Sequence, residues 1–166
     1  MKDFRVSRFL LLPILVFGVL GLAGCNDEND ITGTGGALAT LTVDTPDSAQ
    51  SGQPFNVEIR ALAIGVTNVR NGRVQVTLPT PLTVTALDPS AGTTATFSNS
   101  AGGGAQVTWV LNTLDSNTQS TLQITAMGVL APGEAARSIT VQAVMTADGI
   151  PAGDADAEDA LELRPL

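Results

Sequence analysis

Residues 55–61 read Phe55-Asn56-Val57-Glu58-Ile59-Arg60-Ala61, an unbroken alternation of apolar and polar side chains. A period of two puts Phe55, Val57, Ile59 and Ala61 on one face of an extended chain and Asn56, Glu58 and Arg60 on the other. A segment of this kind buries one face and wets the other, as strands of antiparallel sheets do. Wound as a helix it would scatter its apolar residues round the cylinder and bury none of them together.

The same period recurs on both sides of it. Thr40-Leu41-Thr42-Val43-Asp44 alternates upstream. Downstream, Val74, Val76 and Leu78 alternate with Arg73, Gln75 and Thr77, and Leu82, Val84 and Ala86 with Thr83 and Thr85. Val107, Trp109 and Leu111 share a face opposite Gln106 and Thr108. Leu122, Ile124 and Ala126 alternate with Thr121, Gln123 and Thr125. Ile139, Val141, Ala143 and Met145 alternate with Ser138, Thr140 and Gln142, and Leu161 and Leu163 flank Glu162. Between these runs stand Ser51-Gly52, Asn71-Gly72, Pro79-Thr80-Pro81, the AGGG stretch at 101–104, Pro132-Gly133 and Asp148-Gly149, all turn chemistry. Asn71-Gly72 predicts a type I′ hairpin turn, which needs positive φ at both positions. No window carries a helical stripe. The pattern predicts an all-β fold: an immunoglobulin-like antiparallel β-sandwich of seven to eight strands over residues 38–166.

The first 37 residues follow another logic. Lys2, Arg5 and Arg8 precede the apolar run FLLLPILVFGVLGL at 9–22, which has the length of a secretory h-region and is short for a bilayer span. Leu22-Ala23-Gly24 then leads into Cys25, the only cysteine of the chain, so no internal disulfide can form. Residues 26–37, NDENDITGTGGA, are acidic and then rich in Gly and Thr, the composition of a flexible tether.

Leu22-Ala23-Gly24-Cys25 resembles the lipobox of bacterial lipoproteins. That resemblance implies a signal peptide at 1–24, cleavage before Cys25 and acyl chains, palmitate among them, on Cys25. Two or three chains anchor stably where one holds marginally, since each buried methylene contributes about 0.8 kcal/mol. Asn26 stands where the lipoproteins of enteric bacteria carry Asp as an inner-membrane retention signal. The resemblance therefore favours the outer membrane, with the domain facing the periplasm or the exterior.

The segments Ser51-Gly52-Gln53-Pro54-Phe55-Asn56-Val57, Val76-Thr77-Leu78-Pro79, Leu82-Thr83-Val84, Ser90-Ala91-Gly92-Thr93, Val107-Thr108-Trp109 through Leu114, and Ser120-Thr121-Leu122 carry a second resemblance. In this order they look like the conserved repeat domain of bacterial surface proteins (domain of unknown function 11), an immunoglobulin-like sandwich. That family serves as stalks and adhesive modules and shares no catalytic site. Its Asn-x-Gly after the second strand is matched loosely by residues 65–71.

The residue inventory narrows function further. Without residues 1–24 the chain holds five Arg, no Lys and fifteen acidic residues, a formal charge of −10, and the whole chain has no His and no Tyr. Phosphate binding needs clustered Lys and Arg, so no nucleic-acid partner is expected. With no His, no free Cys and no Lys, nucleophile-and-base catalysis and His/Cys zinc sites are ruled out. Paired carboxylates could still serve glycosidase-type chemistry, but the acidic residues fall mostly in linkers. No enzyme is expected.

One acidic group stands out: Asp154, Asp156, Glu158 and Asp159, in GDADAED before the last strand. Alternating carboxylates can line a Ca²⁺ site, yet the segment lacks the EF-hand glycine and spacing, and a solvated acidic loop is the preferred reading. No cofactor is expected beyond the lipid on Cys25. The chain is thus expected to be a membrane-anchored envelope module for binding, adhesion or assembly, with an envelope protein as partner. The alternative is a carbohydrate-binding module for peptidoglycan or extracellular glycan, which would need an aromatic platform from Phe97 and Trp109.

Overall fold

The structure is a computed structural model and describes residues 38–150 and 153–166. The expected signal peptide (1–24), the lipidation site Cys25 and the tether (25–37) lie outside the described residues.

Ten strands and no helix form the described chain: β1 (Leu38–Asp44), β2 (Ser48–Gln50), β3 (Pro54–Ile64), β4 (Val69–Leu78), β5 (Leu82–Pro89), β6 (Thr94–Asn99), β7 (Ala105–Leu114), β8 (Gln119–Gly128), β9 (Arg137–Thr146) and β10 (Asp156–Arg164). They make two sheets, ordered β1-β3-β8-β5 and β2-β10-β9-β4-β7-β6. This is the immunoglobulin-like sandwich that the alternation predicts. All pairs are antiparallel except β2 with β10, where Ser48–Gln50 add in parallel beside residues 162–164.

The alternating faces read from the sequence turn inward except at Ala86: the β5 bulge between Val84 and Ala86 places Ala86 opposite Thr125 on the outer face and packs Leu87 against the core instead. Val57, Ile59 and Ala61 of β3, Val74 and Val76 of β4, Val107 and Trp109 of β7, Leu122 and Ile124 of β8, and Val141, Ala143 and Met145 of β9 have no exposed surface. Burying a side chain of the Val or Leu class stabilises by about 1.5–3 kcal/mol, so one shared core dominates the fold's energetics. Packing is closest where β8 ends. A Cβ on Gly128 would lie 2.7 Å from Leu163 Cδ2 and 2.9 Å from Leu82 Cδ2, so only a hydrogen fits between the two leucines.

Two expectations need correction. Asn71-Gly72 is not a hairpin turn but a bulge inside β4, where the register against β7 shifts on either side of Gly72. Asn71 takes the expected positive φ, 54°, but Gly72 does not, and a type I′ turn needs both. One left-handed residue gives a bulge instead. The connection from β3 to β4 is made earlier, at residues 65–68, and crosses from one sheet to the other. The strand count is ten rather than seven or eight. β2 is only three residues long, and β6 is an outermost strand whose inward residues, Ala95 and Phe97, bury little.

Candidate functional site

The outer face of the four-stranded sheet carries polar side chains in rows across the strands. Asp44 of β1 pairs with Glu58 of β3, Glu58 with Gln123 of β8, and Gln123 with Asp88 of β5, so one row holds three carboxylates and an amide. Glu58 accepts from Arg60 Nε with one oxygen and from Gln123 Nε2 with the other. The Arg60 guanidinium also stands 3.8 Å from Asp44 Oδ2. Within the row, Asp44 and Glu58 both stand against the Arg60 guanidinium. These exposed ion pairs contribute at most about 1 kcal/mol each and order the face more than they stabilise it. Beside them Asp44, Thr45, Phe55, Asn56, Glu58 and Gln123 line a shallow recess of about 370 Å³.

The acidic residues near the C-terminus do not form the loop that the sequence suggested. Asp156, Glu158 and Asp159 belong to β10 itself, and only Asp154 precedes it. Within a strand successive side chains point to opposite faces, so Glu158 and Asp159 diverge. Glu158 accepts from Gln142 Nε2 at 3.0 Å on the outer face. Asp159 turns inward: its Oδ2 accepts from both the N–H and the Oγ1 of Thr45, each at 2.7 Å, and its Oδ1 from the Ala160 N–H at 2.9 Å. Among the described residues no group of three or more His, Cys, Asp or Glu side chains is arranged to hold a metal ion.

Thr45 follows β1 of one sheet and Asp159 lies in β10 of the other, so this carboxylate ties the two sheets at one edge. Burial pushes the Asp159 carboxyl up, but the hydrogen bonds from Thr45 and Ala160 outweigh it and hold it below the ordinary value of 3.8. A carboxyl lowered in the folded state stabilises fully above its unfolded pKa, and that stability is lost as pH falls through the folded value. Asp159→Asn should therefore cost about 1 kcal/mol at neutral pH, the net worth of a hydrogen bond, and almost nothing once pH is well below 3.8. Urea melts of both proteins at neutral and acid pH check this; an equal loss at both would contradict it.

The opposite edge carries a matching tie. Asn99, at the end of β6, accepts from the Val84 N–H with Oδ1 and donates to the Val84 carbonyl with Nδ2, both at 2.9 Å. An amide side chain here takes the place of a neighbouring strand at the β5 bulge between Val84 and Ala86. Sequence reading passed over Asn99, since one amide in a polar run carries no periodic signal.

The aromatic residues are not gathered into a platform. Trp109 is fully buried, and its indole N–H donates to Thr93 Oγ1 at 2.9 Å. Phe97 is 42 % exposed on β6, and Phe55 is half-buried at the recess. A glycan-stacking surface of Phe97 and Trp109 therefore does not form.

No protein-family model matches the chain, and no curated protein sequence matches it. The likeness to the surface-protein repeat domain rests on the segments quoted above. Solved structures do resemble it in fold. A cohesin module from a Clostridium perfringens family 33 glycoside hydrolase matches with a TM-score of 0.56 at 10 % identity, covering 77 % of this chain and 98 % of that one. The CARDB domain of a Pyrococcus furiosus protein, solved in complex with di-metal ions, matches with a TM-score of 0.53 at 12 % identity, covering 81 % of this chain and 99 % of that one. A variant of the major pilin subunit of Bacillus cereus matches with a TM-score of 0.50 at 13 % identity over 78 % of this chain, which spans 40 % of that subunit. At such identities the likeness defines the class, an immunoglobulin-like sandwich, and nothing narrower.

Proposed function

We propose that this protein is a non-catalytic binding module of the cell envelope, anchored in a membrane by lipid on Cys25 and presenting its sandwich to an envelope protein, with the outer membrane as the favoured site. The observation that carries this reading is how the polar groups are used. Glu58, Asp159, Glu158 and Asn99 all bond to side chains or backbone of the fold itself. That leaves surfaces and sheet edges, rather than a reactive cleft, to meet other molecules. The fold-level likeness to a cohesin module and to a pilin subunit is in keeping with such a role. The lipobox at residues 22–25 supports the anchor, and the charge of the chain argues against nucleic acid as a partner.

The test is crosslinking in intact envelopes. Lysine-directed reagents are unsuited, because the only Lys is Lys2. A photo-reactive residue at Asn56, on the rim of the recess, is expected to capture one discrete envelope protein. Absence of any protein adduct from Asn56 and from exposed positions of the opposite sheet would overturn the reading.

A further inference from the structure

Sheet edges attract other strands, and proteins blunt them with charge, proline, bulges or brevity. Three of the four edges here are managed in that way. β2 has only three residues. β5 contains a bulge and ends in Asp88-Pro89. β1 carries a charge at its end, Asp44. The fourth edge, β6, reads Thr94-Ala95-Thr96-Phe97-Ser98-Asn99 and has none of these devices. In a chain of net charge −8, residues 89–114 contain no Asp, Glu, Lys or Arg.

The backbone of β6 is also placed to accept a strand. The Ser100 N–H donates to the Gly104 carbonyl at 2.9 Å, which closes the β6–β7 turn and sets the parity of the ladder. Thr94, Thr96 and Ser98 then direct their N–H and C=O groups at β7, and Ala95, Phe97 and Asn99 direct theirs outward. Among the described residues no strand pairs with that outer side.

We infer that β6 is a self-association edge whose occupant is β6 of a second copy of this chain, joined antiparallel about a two-fold axis through Phe97. This deepens the binding reading above by naming one partner. In this register Phe97 faces Phe97 of the other copy, and Ala95 and Asn99 face each other across the axis. All three outward residues thus exchange hydrogen bonds, and two six-stranded sheets become one of twelve. The arrangement is isologous, so it closes as a dimer and does not propagate. Electrostatics selects the occupant: two strongly acidic molecules approach with least repulsion where neither carries charge, and the long uncharged strip is that place. The exposed Phe97 rings, 42 % accessible in the single chain, meet over the seam.

The test uses the full chain in density-matched detergent by analytical ultracentrifugation. The wild type should show a concentration-dependent monomer–dimer equilibrium. Thr96 and Ser98 face each other across the two copies, and both are exposed on the outer face. The double variants T96K/S98K and T96E/S98E should each weaken self-association at least tenfold. An equimolar mixture of the two should restore it. A wild type that stays monomeric at every concentration, or charge variants that associate like the wild type, would overturn the inference. Hydrogen exchange on the wild type gives a second readout free of any folding effect: the amides of Ala95, Phe97 and Asn99 should exchange more slowly as concentration rises, and unchanged exchange would count against pairing. The photo-crosslink from Asn56 lies on the other sheet and reports separately, so the module reading and the self-pairing can fail independently.

Discussion

Trp109→Ala lowers the unfolding free energy by about 3–5 kcal/mol, the range for emptying a buried aromatic site. Domains of this size hold only about 5–15 kcal/mol in all. The size of the effect follows from position. Trp109 lies on β7, one strand in from the edge of the six-stranded sheet, with Val74 of β4 on one side and Ala95 of β6 on the other. No part of it reaches solvent. Its removal leaves a cavity that rigid neighbouring strands cannot close, and Thr93 Oγ1 loses its donor. Trp109→Phe should recover part of the loss, since a six-membered ring refills much of the site while three ring atoms and the indole N–H donor to Thr93 are still missing. Trp109 is the only tryptophan, so the urea transition must be followed by circular dichroism. A loss below about 1 kcal/mol, the scale of a surface substitution, would mean that the site is not closed.

Cys25→Ser is expected to have the opposite character: stability stays as it is and membrane attachment or processing changes. The variant is expected to move from the membrane fraction to the soluble fraction, or to persist as a precursor with residues 1–24 attached, and intact mass distinguishes the two. In the proposed anchoring the acyl chains on Cys25 alone hold the protein, and residue 25 precedes β1 by thirteen positions. The melting temperature should therefore match the wild type. A processed Cys25→Ser protein still bound to the membrane would show that something other than the acyl chains holds it.

Alternation was a good guide to what is buried and a poor one to what pairs with what. Val57, Ile59, Trp109, Ile124 and Val141 could be assigned inward because a period of two is a property of one strand, read within that strand. Asn71-Gly72 misled because turn chemistry is local, while the choice between hairpin and bulge depends on which sheet the preceding strand joins. β6 escaped notice because an edge strand needs little apolar surface, so Ala95 and Phe97 alone did not stand out. Asp159 was legible in part. Carrying the inward parity of Leu163 and Leu161 back two residues lands on it, marking a carboxylate aimed at the core side. That its partner is Thr45, 114 residues earlier, is a fact of topology that no periodicity contains.

The Thr45–Asp159 tie has a mechanical consequence. A pull applied at residue 38 enters β1 at one end of a ladder that matches residues 38–44 against 64–58 of β3. The far end of that ladder does not dangle. Thr45 is moored to β10, so an opening that runs along β1 from residue 38 is met at Thr45 by the second sheet. The two layers carry load in common, and the Asp159 carboxylate works as the cleat that holds the inner end of β1. Acid that protonates this carboxylate would soften the mooring, so the force needed to rupture the domain from its N-terminal side should fall with pH before the core itself gives way.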